Sequence, residues 1–178
     1  MAETAPKIDL IKGEDCHQNI NKCFDHVVGN YFQVKDTVKV EVSKKTCNFN
    51  GWWSGYNSSI TTLHLEPKTK VHLGPCYLDP GKCSNINNLK CRAENATPNK
   101  IVDVNGNNSN RTESLSTIYR PRGDPFIYQV GQPTIPNDFT GKECFDRSAN
   151  TPHMCLYEKI CANGIHFFLR KIDAEVWE

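Results

Sequence analysis

Val38-Lys39-Val40-Glu41-Val42-Ser43 is the stretch whose reading decides the fold. Apolar and polar side chains alternate strictly along it. Because successive side chains of a strand point to opposite faces, the pattern predicts a half-buried β-strand with its valines inward. Working outward, Ile60 to Leu65, Lys70 to Leu73, Phe126 to Val130 and Ile165 to Ile172 are short apolar runs bounded by Gly, Pro, Asn or charged residues, and each is expected as a further strand. Many short strands between turn signals describe a mainly β protein, a small disulfide-rich antiparallel β-sandwich or partly open barrel. One short N-terminal helix is expected as well, because Cys16, Ile20, Cys23, Phe24, Val27 and Val28 fall on one helical face beginning near Asp15.

The chain has 178 residues, the size of one domain. Residues 1–14 read as a flexible tail and 15–178 as a single disulfide-rich β domain. Between Ser84 and Ser116 the texture turns polar and turn-rich, with Asn-Ile-Asn-Asn, Asn-Ala-Thr-Pro and the run Asn105 to Asn110. An exposed Asn-rich insertion is therefore expected over 84–116. Met1 to Pro6 carry neither a basic start nor an apolar stretch, so a secretory signal is expected upstream and removed.

Only 38% of the residues are hydrophobic, below the usual share, which suggests that cross-links supplement burial. Nine cysteines supply them: Cys16, Cys23, Cys47, Cys76, Cys83, Cys91, Cys144, Cys155 and Cys161. No two form a C-x-x-C pair, so their scatter reads as a disulfide framework rather than a redox centre or zinc ribbon. Each bridge contributes about 2–4 kcal/mol, mostly by restricting the unfolded chain. Nine is odd, so one sulfur stays free, links two chains in a disulfide-bonded dimer, or pairs with a cysteine outside this sequence. Four Asn-x-Ser/Thr sites, at Asn57, Asn95, Asn107 and Asn110, agree with the cysteines on a secreted, extracellular glycoprotein.

With 21 basic and 20 acidic residues there is no global field to attract nucleic acid or an anionic membrane, and no run approaches the roughly 20 apolar residues of a membrane helix. His17, His26, His64, His72, His153 and His166 include no H-x-x-x-H or H-x-H pair, so no metal is expected. The segment Asp103 to Asn107 has its glycine at the wrong offset for a calcium loop, and Ser114 stands where an acid must close it. There is no G-x-S-x-G elbow and no phosphate-cradling glycine loop. The chain reads as a non-enzyme without cofactor.

Arg122-Gly123-Asp124, between Pro121 and Pro125, has the residues of an integrin-binding tripeptide: a guanidinium and a carboxylate projecting apart from a Gly-centred turn. Gly-Asp-Pro is also ordinary turn chemistry, and that reading stands beside the first. Trp52, Trp53, Phe167 and Phe168 are expected to fill a small core against disulfides; the other reading is a platform of Trp52, Trp53 and Tyr56 on which a sugar stacks.

Two blocks together carry a family resemblance. Cys47-Asn48-Phe49-Asn50-Gly51-Trp52-Trp53-Ser54-Gly55-Tyr56, followed by Gly74-Pro75-Cys76 and Cys83, resembles the opening of the cysteine-rich extracellular domain shared by uromodulin and pancreatic secretory granule glycoprotein two. Gly141 to Cys144, His153 to Tyr157 and Ile160 to Leu169 are similar to that domain's close, and Cys23-Phe24-Asp25-His26 matches its first cysteine. The resemblance spans about residues 23–172 with an unmatched middle. It implies a rigid module acting by recognition, adhesion or extracellular assembly. Met154 stands where the family has the first of two adjacent cysteines, a loss that would strand that cysteine's partner. Family members show high-mannose glycans to bacterial fimbrial lectins from the closing strand, but the matching position here is near Leu169, so that role does not transfer at that residue. The expected partner is a protein or glycan outside the cell, such as an integrin-type receptor or a lectin. Two alternatives stand beside this reading. One is a carbohydrate-binding module using Trp52, Trp53 and Tyr56; the other is a secreted enzyme or inhibitor, which needs an activated thiol or a rigid reactive loop.

Overall fold

The computed structural model describes residues 11–42, 59–103, 113–115, 127–135, 139, 141–145, 160 and 162–176. The protein is mainly β. Its strands are β1 (Ile11–Lys12), β2 (Phe24–Val28), β3 (Tyr31–Val34), β4 (Val38–Val42), β5 (Ser59–Leu65), β6 (Lys70–His72), β7 (Cys91–Ala93), β8 (Thr97–Asp103), β9 (Glu113–Leu115), β10 (Ile127–Gln129) and β11 (Ile165–Phe168). Nine of them make one continuous sheet in the order β2-β3-β6-β7-β11-β4-β5-β8, with β1 parallel to β4, while β9 and β10 pair antiparallel by themselves.

The sheet divides at β11 into a four-stranded part, β2-β3-β6-β7, and a five-stranded part containing β11, β4, β5, β8 and β1. Residues 165–167 of β11 pair with β7, and residues 167 and 168 pair with β4. Both parts bury one face in a common core. Phe24, Phe32, Val71 and Ala93 come from the first; Val38, Val40, Leu63, Leu65 and Ile101 come from the second. No bond joins β2 to β8 among the described strands, so the architecture is sandwich-like and not a closed barrel.

The local causes follow the alternation rule. Val38 and Val40 are fully buried, and they stand opposite Leu65 and Leu63 on one face of the β4–β5 pair. In β8 the register slips between Thr62 and Leu63 of β5, leaving Asn99 as the extra residue beside Pro98. Proline has no N–H to give a ladder, so a bulge is where a strand tolerates it. Gly29, in the left-handed region at φ 54°, and Asn30 make the β2–β3 turn.

Three expectations are corrected. The apolar face expected to be one helix is two short helices, α1 (Gly13–Gln18) and α2 (Ile20–Cys23), followed by β2. Asn19 is extended between the helices, and Phe24 to Val28 pair with β3, so strand pairing wins over a helical period that a short apolar run cannot decide. The run Ile165 to Ile172 leaves the sheet after Phe168 and becomes α3 (Lys171–Val176), whose first turn is held by Arg170 donating two bonds to the Asp173 carboxylate at 2.8 and 2.9 Å. The stretch 84–116 is not wholly an exposed insertion: it supplies β7 and β8 to the sheet, with Leu89, Cys91, Ala93, Ala96 and Ile101 buried. Its asparagine-rich parts, by composition, hid short core strands.

Glycine fixes one junction. A Cβ on Gly13 would overlap the Leu169 carbonyl oxygen, so α1 lies directly on the chain leaving β11. Gly13→Ala is expected to lower stability by about 1–3 kcal/mol in urea unfolding, the range for overpacking a filled contact. Gly81→Ala, whose new carbon would meet only the flexible Asp79 carboxylate at 3.2 Å, should stay within about 0.5 kcal/mol of wild type.

Candidate functional site

The densest polar chemistry in the described structure lies on the face of the four-stranded part opposite the main core. Tyr31 of β3 stands across from His72 of β6, His72 from Arg92 of β7, and Arg92 from His166 of β11. A side-chain period of two puts all four on the same face, and all are 0–3% exposed. Lys90, two residues before Arg92, is also fully buried.

A cover of loop residues closes this face. Phe139 lies under the Arg92 guanidinium at 5.2 Å, and Phe145 meets Tyr31 edge-on at 5.6 Å between centroids. A Cβ on Gly141 would overlap the Tyr31 ring, and one on Gly164, where φ is 146°, would crowd Arg92 and Phe139. Arg92 donates from Nη1 to the Asn163 carbonyl at 2.8 Å, and His166 Nε2 lies 2.7 Å from the Ala162 carbonyl. The Tyr31 and His72 rings pack edge to face at 4.9 Å.

Burial sets the electrostatics. It is the main cause holding His72 down to about 3, with Arg92 adding to it. Burial also holds His166 well below the usual imidazole range, reinforced by Lys90, Arg92 and His72 and opposed by the Ala162 bond. Lys90 is lowered by burial as well. Both imidazoles are therefore neutral at pH 7 and beside cationic side chains. Each is a proton acceptor in waiting that becomes basic only when water reaches it.

The cysteines separate by role. Cys16–Cys23 and Cys76–Cys83 are disulfides, each spanning seven residues, and Cys144 is bonded too. Cys91 is the free cysteine among the described residues. It is fully buried beside Tyr77, and its thiol is pushed up to about 12, mainly by burial. The free sulfur thus falls in the stretch that the family resemblance leaves unmatched. A thiol so sequestered does not reach a second chain, so Cys91 is no anchor for a disulfide-linked dimer. Cys47, Cys155 and Cys161 lie outside the described residues, as do Met154, Asn57, Asn107, Asn110, Arg122, Gly123, Asp124, Trp52, Trp53 and Tyr56. Asn95 is half-buried in the connection between β7 and β8.

Sequence reasoning missed the cationic row. Its signal was present as one polar residue between apolar neighbours in three strands: Val71-His72-Leu73, Cys91-Arg92-Ala93 and Ile165-His166-Phe167. Alternation of that kind ordinarily marks a solvent face, and only the cover makes it an interior one. Comparison with protein-family models, curated proteins and solved structures yields no match in any of the three.

Thiol labelling checks the sulfur assignment. Native protein at pH 8 is expected to resist a maleimide at position 91, because the thiolate is scarce and enclosed. In guanidinium without reductant, the peptide containing Cys91 should label fully while those with Cys16, Cys23, Cys76 and Cys83 stay bonded. Rapid native labelling at Cys91 would contradict the buried placement.

Proposed function

We propose that the protein is a secreted or cell-surface glycoprotein module that acts by recognition, adhesion or extracellular assembly, of the uromodulin cysteine-rich type. The observation that carries this reading is the disposal of sulfur. Among the described residues, disulfides close the loops Cys16–Cys23 and Cys76–Cys83, and the free thiol of Cys91 is shut inside the sheet core, away from exchange. Stable disulfides belong to oxidising compartments, where an accessible odd thiol would scramble or cross-link.

A framework of this kind assigns recognition to its loops, since both faces of the four-stranded part and the inner face of the five-stranded part are occupied by packing. The glycan sites at Asn57, Asn95, Asn107 and Asn110 and the turn Arg122-Gly123-Asp124 are the proposed contact points. The partner is an extracellular protein or glycan-binding protein, an integrin-type receptor or a lectin by chemical class.

Expression through a secretory pathway tests the reading. Non-reducing intact mass should show bridged cysteines and a glycan mass removed by an endoglycosidase. Nine reduced thiols on unglycosylated secreted protein would end the proposal. For adhesion, Asp124→Glu is expected to abolish cell attachment while leaving circular dichroism and melting unchanged, because the longer carboxylate misses a receptor metal. Attachment that survives this change removes the integrin reading, and attachment lost only on deglycosylation points to a lectin.

A further inference from the structure

The inner face of the five-stranded part is filled by Val38, Val40, Leu63, Leu65 and Ile101. Its outer face is packed at β11, where Phe168 meets Cys76, Leu89 and Ala174, and is polar across the rest of its described side chains. Alternation with the buried residues places on that outer face Lys12 of β1, Lys39 of β4, Thr62 and His64 of β5, and Thr97 and Lys100 of β8. Lys12 and Lys100 are exposed, and the other four are half-buried.

The basic groups of this face stand in register. Lys12 lies beside Lys39 across the parallel β1–β4 step, and Lys39 lies beside His64 across β4–β5. Thr97 continues the row onto β8 next to His64, and Lys100 stands one step further along, opposite Thr62. Neighbouring strands are about 4.8 Å apart, so the row crosses four strands in about 14 Å. Like charges side by side on a sheet cost stability. No carboxylate pairs with Lys12, Lys39, His64 or Lys100 among the described residues. Two glutamates flank the row: Glu66, whose carboxylate accepts from Thr37 Oγ1 at 3.2 Å, and Glu41, in register with Thr62. The chain's net charge of +1 is a sum and hides this local alignment.

We propose that the outer face of β1, β4, β5 and β8 binds a linear sulfated polysaccharide laid across the strands, with Lys12, Lys39, His64 and Lys100 meeting its sulfates and Thr97 offering a hydroxyl beside them. The choice of a sulfated glycan as the anion rests on the proposed extracellular setting; the face itself does not. Charge supplies the complementarity. A line of cations matches a linear polyanion rather than a single small anion, and binding releases the polymer's condensed counterions. The row has no Phe, Tyr or Trp on which nucleic-acid bases would stack, and no apolar side chain to enter a membrane. What remains is a flat array of polar donors, which suits a chain of sugar hydroxyls and sulfates.

Binding of the purified full chain to heparin, compared with the same polymer desulfated, tests the face whether or not the protein proves to be secreted and glycosylated. At 50 mM NaCl binding is expected to the sulfated polymer only. It should weaken about 30-fold by 200 mM, because three lysines each release just under one counterion. Lys12→Gln, Lys39→Gln and Lys100→Gln should each weaken it about two- to fivefold and flatten the salt dependence. The triple variant should lose about tenfold or more, with a melting temperature equal to or above wild type, since the like charges are gone. Lys22→Gln and Lys82→Gln, at exposed lysines in α2 and in the Cys76–Cys83 loop, should bind as wild type. The proposal is overturned by absent binding, by equal binding to the desulfated polymer, by a triple variant that binds as wild type, or by control variants that weaken binding as much. Equal or tighter binding to polyglutamate or single-stranded DNA overturns it too, by giving the face to another polyanion. Should the triple variant not fold, the single variants decide in the same way.

Discussion

Everything else in the fold depends on β11 being buried on both faces. Ile165, His166, Phe167 and Phe168 are all buried, and among the described strands β11 alone pairs with a strand of the four-stranded part and with one of the five-stranded part. One pair of alternate side chains, Ile165 and Phe167, enters the main core; His166 enters the covered cationic row, and Phe168 enters a third cluster with Cys76, Leu89 and Ala174. Such a strand cannot slip by one residue. A slip would drive an imidazole into the main core and a phenylalanine onto the guanidinium of Arg92. The register is thus fixed by the incompatibility of two interiors rather than by a contrast between core and water.

The same arrangement explains how a chain with modest hydrophobic content keeps a stable interior. The sandwich core is supplemented by short disulfide loops at its margins, where Cys16–Cys23 ties the two N-terminal helices and Cys76–Cys83 ties the turns before β7. Cys91, by contrast, is used as a small apolar side chain among Val71, Ala93 and Phe167, a role for which its reactivity is irrelevant while the core is shut.

Legibility in the sequence tracked how far each signal was local. The strict alternation around Val40 and the run Ile60 to Leu65 became β4 and β5, because half-buried strands carry their period on themselves. β7 was invisible, since Lys90 and Arg92 read as a solvated stretch until a second layer covers them. The helix expected through Val28 failed for a related reason: Phe24 onward chose between a helical and an extended period only when Tyr31 to Val34 came alongside. That disulfides form was legible from composition, and among the described residues Cys16, Cys23, Cys76, Cys83 and Cys144 are bonded. The odd cysteine was not assignable without knowing which positions face each other, and the cationic row needed strand register, which no single strand encodes.

The bulge at Asn99 and Pro98 has a colloidal consequence. An open sheet has two ends, and a flat end strand offers its unpaired amides and carbonyls to any neighbour at high concentration. Here β8 is kinked by Pro98 and Asn99, and its Pro98 carbonyl is already taken by the Gly131 N–H at 2.9 Å. At the far end, β2 presents the exposed charge of Asp25. Each end is thereby made a poor template for another strand. A β-rich protein crowded with copies of itself can in this way stay dispersed without closing its sheet into a barrel.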